Sequence, residues 1–185
     1  QKGGEIRSQF AELAQKVKTI VHSKRAARAL IDQDKRHLIL FETMEQGVIY
    51  QDPEGIIIEA NPAAERILGI PYDQLIGSSS FDKGWSIIDE NYAPVRTDDL
   101  PSIRALRSGK KISYTVVGIT HPRLDGYRWI FIHATPLFRE GESTPFQVYS
   151  IFSDITELRK ADEQVTLHAE RLSALLKLNR LADRS

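Results

Sequence analysis

Helix breakers divide this chain more sharply than any other feature. All eight prolines, and every glycine except Gly3 and Gly4, lie between Gly47 and Pro145. Proline removes a backbone donor and clashes inside a helix, and glycine weakens a helix by about 1 kcal/mol. The two ends are therefore open to long helices, while the middle must be cut into short elements.

The N-terminal end carries a stripe at 4,3 spacing: Ile6, Phe10, Leu13, Val17, Ile20, then Ala27, Ile31, Leu38 and Phe41, with Lys24 and Asp34 interrupting it. Spacing that averages 3.5 residues is the pattern of a coiled coil. A helix of ~35 residues spans ~50 Å, longer than one small domain covers. The expected partner is the same helix of a second copy; packing on the chain's own domain is the alternative. The C-terminal end repeats the pattern with Leu158, Ala161, Val165, His168, Leu172, Leu175 and Leu176, continued less regularly by Leu178 and Leu181. Its start signal is Asp154-Ile155-Thr156-Glu157, read as a capping box with Asp154 as cap.

Between the ends, residues 47–51 and 56–59 form a hairpin about the turn Asp52-Pro53-Glu54-Gly55. Asn61-Pro62 opens a helix ended by Gly69, because Asn caps free amides and Pro suits the first helical position. Residues 71–75 form a second short helix. Residues 78–99 read as polar and irregular, with Asp98-Asp99 as the start of a helix over 100–108. Strands follow at 112–119, 127–137 and 146–153. Strands grouped on either side of short helices predict an α+β fold with one five-stranded antiparallel sheet and helices on one face. The strand 127–137 is apolar on both sides, with Ile130, Ile132 and Ala134 on one face and Trp129, Phe131 and His133 on the other. Both faces need cover, and the long end helices are the available candidates for the second. The domains expected are an N-terminal helix over 1–41, a body over 42–154 and a C-terminal helix over 155–185.

Charge excludes some partners. Lys+Arg and Asp+Glu both number 25, so no net field grips nucleic acid or an anionic membrane. Residues 1–41 hold 9 basic and 4 acidic residues, and residues 42–153 hold 10 and 15; a basic arm beside an acidic body reads either as docking or as solvated helix faces. Absence of Cys removes disulfides, thiolate metal sites and cysteine adducts. No apolar run reaches the length of a membrane helix, and the expected location is cytoplasmic, in a parent that is free or membrane-anchored. The start at Gln1 suggests a piece of a longer protein.

The central segment resembles a PAS domain, the sensory α/β fold of signalling proteins. The resemblance is carried by IIIEANPAAERILGI at 56–70, by Gly126-Tyr127-Arg128-Trp129 and Ala134-Thr135-Pro136-Leu137, and by the PAC-type exit SDITELRK at 153–160. It implies a ligand-responsive or signal-relaying module of a multidomain protein, a sensor histidine kinase of a two-component system or a diguanylate cyclase. It also implies dimers formed through the flanking helices. Asp154, Ile155, Thr156 and Glu157 match the exit motif and are expected to relay change in the sheet to the helix; the plainer role for Asp154 is a cap alone. The tail from His168 resembles the lead-in helix of a GAF domain.

The body holds no catalytic constellation. His168 lacks the neighbours of a phosphoacceptor, and His22, His37, His121 and His133 are too dispersed to hold a metal. No cofactor is expected: haem-binding relatives carry a His on the helix matching 100–108, and covalent flavin needs a Cys. A small-ligand pocket is expected behind the sheet, between Ile49, Gln51, Ile130, Ile132, Ala134, Ser150 and Phe152 on strands and Leu68, Phe81, Trp85 and Ile103 opposite. Its ligand would be apolar or a small organic acid; a filled core is the alternative. The function expected is a sensory module passing its signal through the C-terminal helix to an output domain in the same chain. The alternative is a ligand-free dimerisation module.

Overall fold

A computed structural model of the chain describes residues 2–79, 84–122 and 124–182, with side chains described for 18, 22–25, 28–79, 84–122 and 124–174. The chain divides into two compact units, Gln1–Thr43 and Met44–Ser185. The first is one helix, α1 (Lys2–Thr43). Of its predicted stripe, Ile31 and Leu38 are exposed and Phe41 is half-buried. Ile6, Phe10, Leu13, Val17, Ile20 and Ala27 lie outside the described side chains.

The second unit runs β1 (Gly47–Gln51), β2 (Ile57–Ala60), α2 (Pro62–Leu68), α3 (Tyr72–Leu75), β3 (Ser86–Ile88), α4 (Pro101–Ser108), β4 (Ile112–Thr120), β5 (Arg128–Leu137), β6 (Gln147–Asp154) and α5 (Thr156–Ala182). Its strands form one antiparallel sheet in the order β2-β1-β6-β5-β4-β3. The sheet has six strands, where five were expected. The sixth is β3, which lies in the segment read as irregular. It pairs Ile87 with Ile119 and Ile88 with Gly118, so its existence depends on an edge supplied about 30 residues later. Three residues are too few to display a period of two.

The first hairpin follows from local chemistry. Asp52 Oδ1 accepts from Glu54 N at 3.1 Å and Ile56 N at 2.9 Å, closing an Asx turn. Gly55 takes φ +84°, and a Cβ there would stand 2.9 Å from Ile103 Cδ1. Asn61 then caps α2, accepting from Ala64 N at 2.9 Å, with Pro62 in the first turn.

Asp98 and Asp99 do not start α4. They sit in a 3-10 turn, Thr97–Asp99, where Asp98 pairs with Arg107 at 2.7 Å and Asp99 with Arg96 at 2.8 Å. Leu100 precedes α4 without a side-chain cap. Nearby cations outcompete the free amides for these carboxylates.

Helices α2, α3 and α4 cover one face of the sheet. Ile49, Ile57, Leu68, Ile119, Ile130 and Phe152 belong to the main buried cluster, and Ala105, Ala134 and Val148 form a second. On the other face, Phe131 and His133 are half-buried and packed edge to face at 4.8 Å, with the exposed Tyr114 against both. Helix α5 supplies the expected cover at Trp129, as described below. Its stripe residues Leu158, Val165 and Leu172 are exposed, and Leu175, Leu176, Leu178 and Leu181 lie outside the described side chains.

Gly47 opens β1 directly opposite Phe152 of β6. A Cβ at Gly47 would overlap the Phe152 ring, which is 1% exposed. Gly47→Ala is expected to destabilise the chain by about 2 kcal/mol through overpacking. Urea denaturation measures this, and an unchanged midpoint would show that the ring can yield.

Candidate functional site

A cavity of about 60 Å³ lies between the sheet and the helices. From β1 and β6 it takes Ile49, Gln51, Ser150 and Phe152, and from β5 Ile130 and Ile132. Leu68 closes it from α2, and Trp85 from the segment leading into β3. These eight predicted residues are brought together. Ile103 is buried but lies against Gly55 and not on the cavity wall. Ala134 belongs to the second cluster, with Ala105 and Val148. Phe81 lies outside the described residues. The wall also holds residues that the sequence reading missed: Ile57, Ile87, Val117, Ile119 and the start of α4, Leu100-Pro101-Ser102.

Among the described residues no charged side chain lines this cavity. Displaced ionisation occurs elsewhere: burial, the Glu59 carboxylate and the neighbouring Tyr149 ring push the Tyr50 phenol up. The Arg96 hydrogen bond holds Asp99 below its ordinary value. Among the described residues no group of three or more His, Cys, Asp or Glu could hold a metal ion.

The polar atoms of the wall are few. Gln51, 1% exposed, donates from Nε2 to Gly55 O at 2.7 Å, while its Oε1 has no partner. Ser150, 0% exposed, has an Oγ without a partner.

A second arrangement sits where β6 becomes α5. Asp154 pairs with Ile130 in the sheet and accepts at Oδ1 from Thr156 N at 2.9 Å. Ile155 N donates to Trp129 O at 2.8 Å, and Trp129 N donates to Thr156 Oγ1 at 2.9 Å. Only Ile155 separates strand from helix, so the first turn is stitched to β5 from both sides. Glu157 does not close a capping box. The helix starts one residue late for that, which puts Glu157 at the second helical position, where it pairs with Lys160 at 2.9 Å.

Two arginines tie this junction to the cavity's surroundings. Arg128 Nη1 donates to Arg66 O and Ile67 O, both at 2.6 Å, at the end of α2, and its Nε lies 3.3 Å from Asp154 Oδ2. Arg159, in the first turn of α5, lies 4.0 Å over the Trp129 ring. Its Nη1 is 3.5 Å from Glu90 Oε1, an ion-pair distance too long for a good hydrogen bond. Tyr92 packs edge-on against the same ring at 5.5 Å, and takes φ 61° to do so. That left-handed backbone costs about 1–2 kcal/mol, which the ring contact helps to offset. Glu90 and Tyr92 follow directly on β3, whose Ile87 lines the cavity. Sequence reasoning missed Glu90, Tyr92 and Arg159. No short-range pattern links them, because Tyr92 and Arg159 stand 67 positions apart.

Comparison with known proteins bears on the fold of the second unit. The profile described as the PAS fold matches residues 35–155. A curated relative, sensor protein kinase FleS of Pseudomonas aeruginosa, is 30% identical over 173 residues, which is 92% of this chain and 33% of that protein. The chain thus spans about a third of the length of that relative. Among solved structures, the PAS domain of a Colwellia psychrerythraea protein is similar at a TM-score of 0.50 and 21% identity, over 66% of this chain and 97% of that one. The PAS domain of nitrogen regulation protein NR(II) from Vibrio parahaemolyticus matches at 0.46 and 18%, over 63% and 95%.

Proposed function

We propose, from the premise that this chain belongs to the PAS family, that it is the sensory module of a sensor histidine kinase. In this reading a small molecule occupies the cavity, α5 changes its set against β5, and two copies paired through α1 and α5 carry the change to an output domain. The chain itself performs no catalysis and takes no haem, covalent flavin or metal. It acts on the cytoplasmic side of its parent; no described helix is long and apolar enough to cross a membrane.

One observation carries the reading: the first turn of α5 is bonded to Trp129 and held through Arg159 to the segment after β3, while β3 and β5 both line the cavity. Movement of Ile130 by an occupant therefore reaches the base of α5 through the backbone bonds of Trp129, and movement of Ile87 through the looser Glu90–Arg159 ion pair. A cation over a tryptophan face contributes about 1–2 kcal/mol when partly desolvated, enough to shift a balanced equilibrium several-fold. The exposed Leu158, Val165 and Leu172 favour a partner helix for α5. The curated relative supports the kinase output, as a likeness over one third of its length.

The chain has no native Cys, so Leu172→Cys gives a single reporter. Disulfide formation between copies is expected, with a rate that changes at least three-fold when a metabolite extract is added. Adding Arg159→Ala should abolish that response while leaving the dimer intact. A dimer whose rate ignores every extract would identify a ligand-free dimerisation module instead, and a monomer would remove both readings.

A further inference from the structure

The cavity wall states what kind of molecule it accepts. Gln51 Nε2 is committed to Gly55 O, and this fixes the amide's orientation, since the flipped amide would set oxygen against oxygen. Gln51 Oε1 is therefore an acceptor with no donor, in a residue 1% exposed. Ser150 Oγ is a second unpartnered group in a residue 0% exposed. Ser150 stands opposite Ile49, and Gln51 opposite Val148, so the two polar residues are diagonal neighbours on one face of adjacent strands. Buried polar groups in folded proteins are almost always hydrogen-bonded. Two orphans side by side on one cavity wall mark a missing partner.

Water satisfies part of this description and not the rest. A buried water needs two to four polar partners. Water can partner Gln51 and Ser150, but apart from Ser102 and the Trp85 indole the rest of the described wall is hydrocarbon, including Ile49, Leu68, Ile130 and Phe152. An occupant that fills the volume must carry its own apolar body. It must also be neutral, because no described residue of the wall carries a charge to compensate an ion taken out of water. A carboxylate fails twice: it is charged, and it offers only acceptors to the Gln51 acceptor. The organic acid expected from sequence fits only in its protonated form, which is neutral and carries an O–H donor.

We infer that the cavity binds a small neutral molecule with a hydroxyl or amide N–H at one end and an apolar body of one or two carbons, the size that about 60 Å³ admits. The N–H or O–H donates to Gln51 Oε1, and Ser150 Oγ donates to or accepts from the same polar end. This rests on the reading of the cavity as a ligand site and adds the class of ligand.

The test uses the whole chain and three matched probes small enough for the cavity: ethanol, acetate at pH 7 and ethane, followed by chemical shifts of the Gln51 side-chain amide and the Ser150 backbone amide. Ethanol is expected to saturate at least ten-fold more tightly than acetate and more tightly than ethane. Ser150→Ala, which deletes a single unpaired oxygen from the wall, is expected to weaken ethanol about ten-fold and leave ethane unchanged. Acetate binding as tightly as ethanol would overturn the neutral-donor class while leaving a ligand site in place. No saturation by any probe, together with water cross-peaks to the Gln51 amide, would overturn the class and the ligand reading together.

Discussion

Asn61→Ala is expected to destabilise the second unit by about 3–4 kcal/mol, read as the loss in urea unfolding free energy. Asn61 is 0% exposed and makes three bonds of 2.9 Å. Its Oδ1 accepts from both Val48 N and Ala64 N, and its Nδ2 donates to Gln46 O. A lost cap alone costs about 1 kcal/mol. Here the same amide also holds the start of β1, so truncation leaves the buried Val48 amide without this partner, at about 1–3 kcal/mol before relaxation, and frees the half-buried Gln46 carbonyl at a smaller cost. Asn61→Asp keeps the acceptor and loses the donor to Gln46 O, and should give roughly half the effect. A loss under about 1 kcal/mol for the alanine variant would show that water takes the place of the amide.

The same residue shows what a sequence discloses. Asn61-Pro62 reads at once as a helix start, because a cap and its target are three residues apart. The Asp52–Gly55 turn reads for the same reason. The binding of Asn61 to Gln46 and Val48 does not, since it spans 13 to 15 residues and depends on the hairpin having formed. The strand β3 was hidden for the corresponding reason: nothing within Ser86–Ile88 distinguishes it from a loop until Gly118 and Ile119 arrive.

The cavity was legible where strand alternation decides it. Ile49 with Gln51, Ile130 with Ile132, and Ser150 with Phe152 share one face by period two, and all six line the wall. It was illegible where a short helix decides it. Period 3.6 says which residues of α4 share a side and not how the helix is rotated about its axis. The expectation chose Ile103, yet the wall takes Leu100, Pro101 and Ser102, so α4 presents its N-terminal end to the cavity and turns Ile103 toward Gly55. Ala134 misses the wall for a different reason. It lies on the correct face but two residues beyond Ile132, where the small Ala105 lets the helix close on the sheet.

Arg128→Met is the variant expected to disconnect the exit helix, at about 2–3 kcal/mol of global stability. Methionine keeps an apolar stem and deletes the guanidinium, which makes two 2.6 Å bonds to α2 carbonyls and an ion pair with Asp154. The carbonyl bonds supply most of the loss, since they are charge-assisted and Ile67 is buried. The Asp154 pair is about a third exposed on both sides and contributes on the order of 0.5 kcal/mol after solvent screening. Exchange at Ile155 N and Thr156 N should nonetheless quicken at least ten-fold. Asp154 then keeps its bond to Thr156 N but loses the cation that positions its carboxylate. Exchange at Gly69 N, bonded to Glu65 O at the end of α2, should quicken with it. Asp154→Asn retains the Thr156 bond and removes only the charge, so the double variant isolates the pair. If Arg128→Met loosens α2 and leaves Ile155 and Thr156 as protected as in the parent, the helix beside the cavity and the helix leaving the sheet are mechanically separate. The contacts of Arg159 with Trp129 and Glu90 would then have to carry the coupling alone.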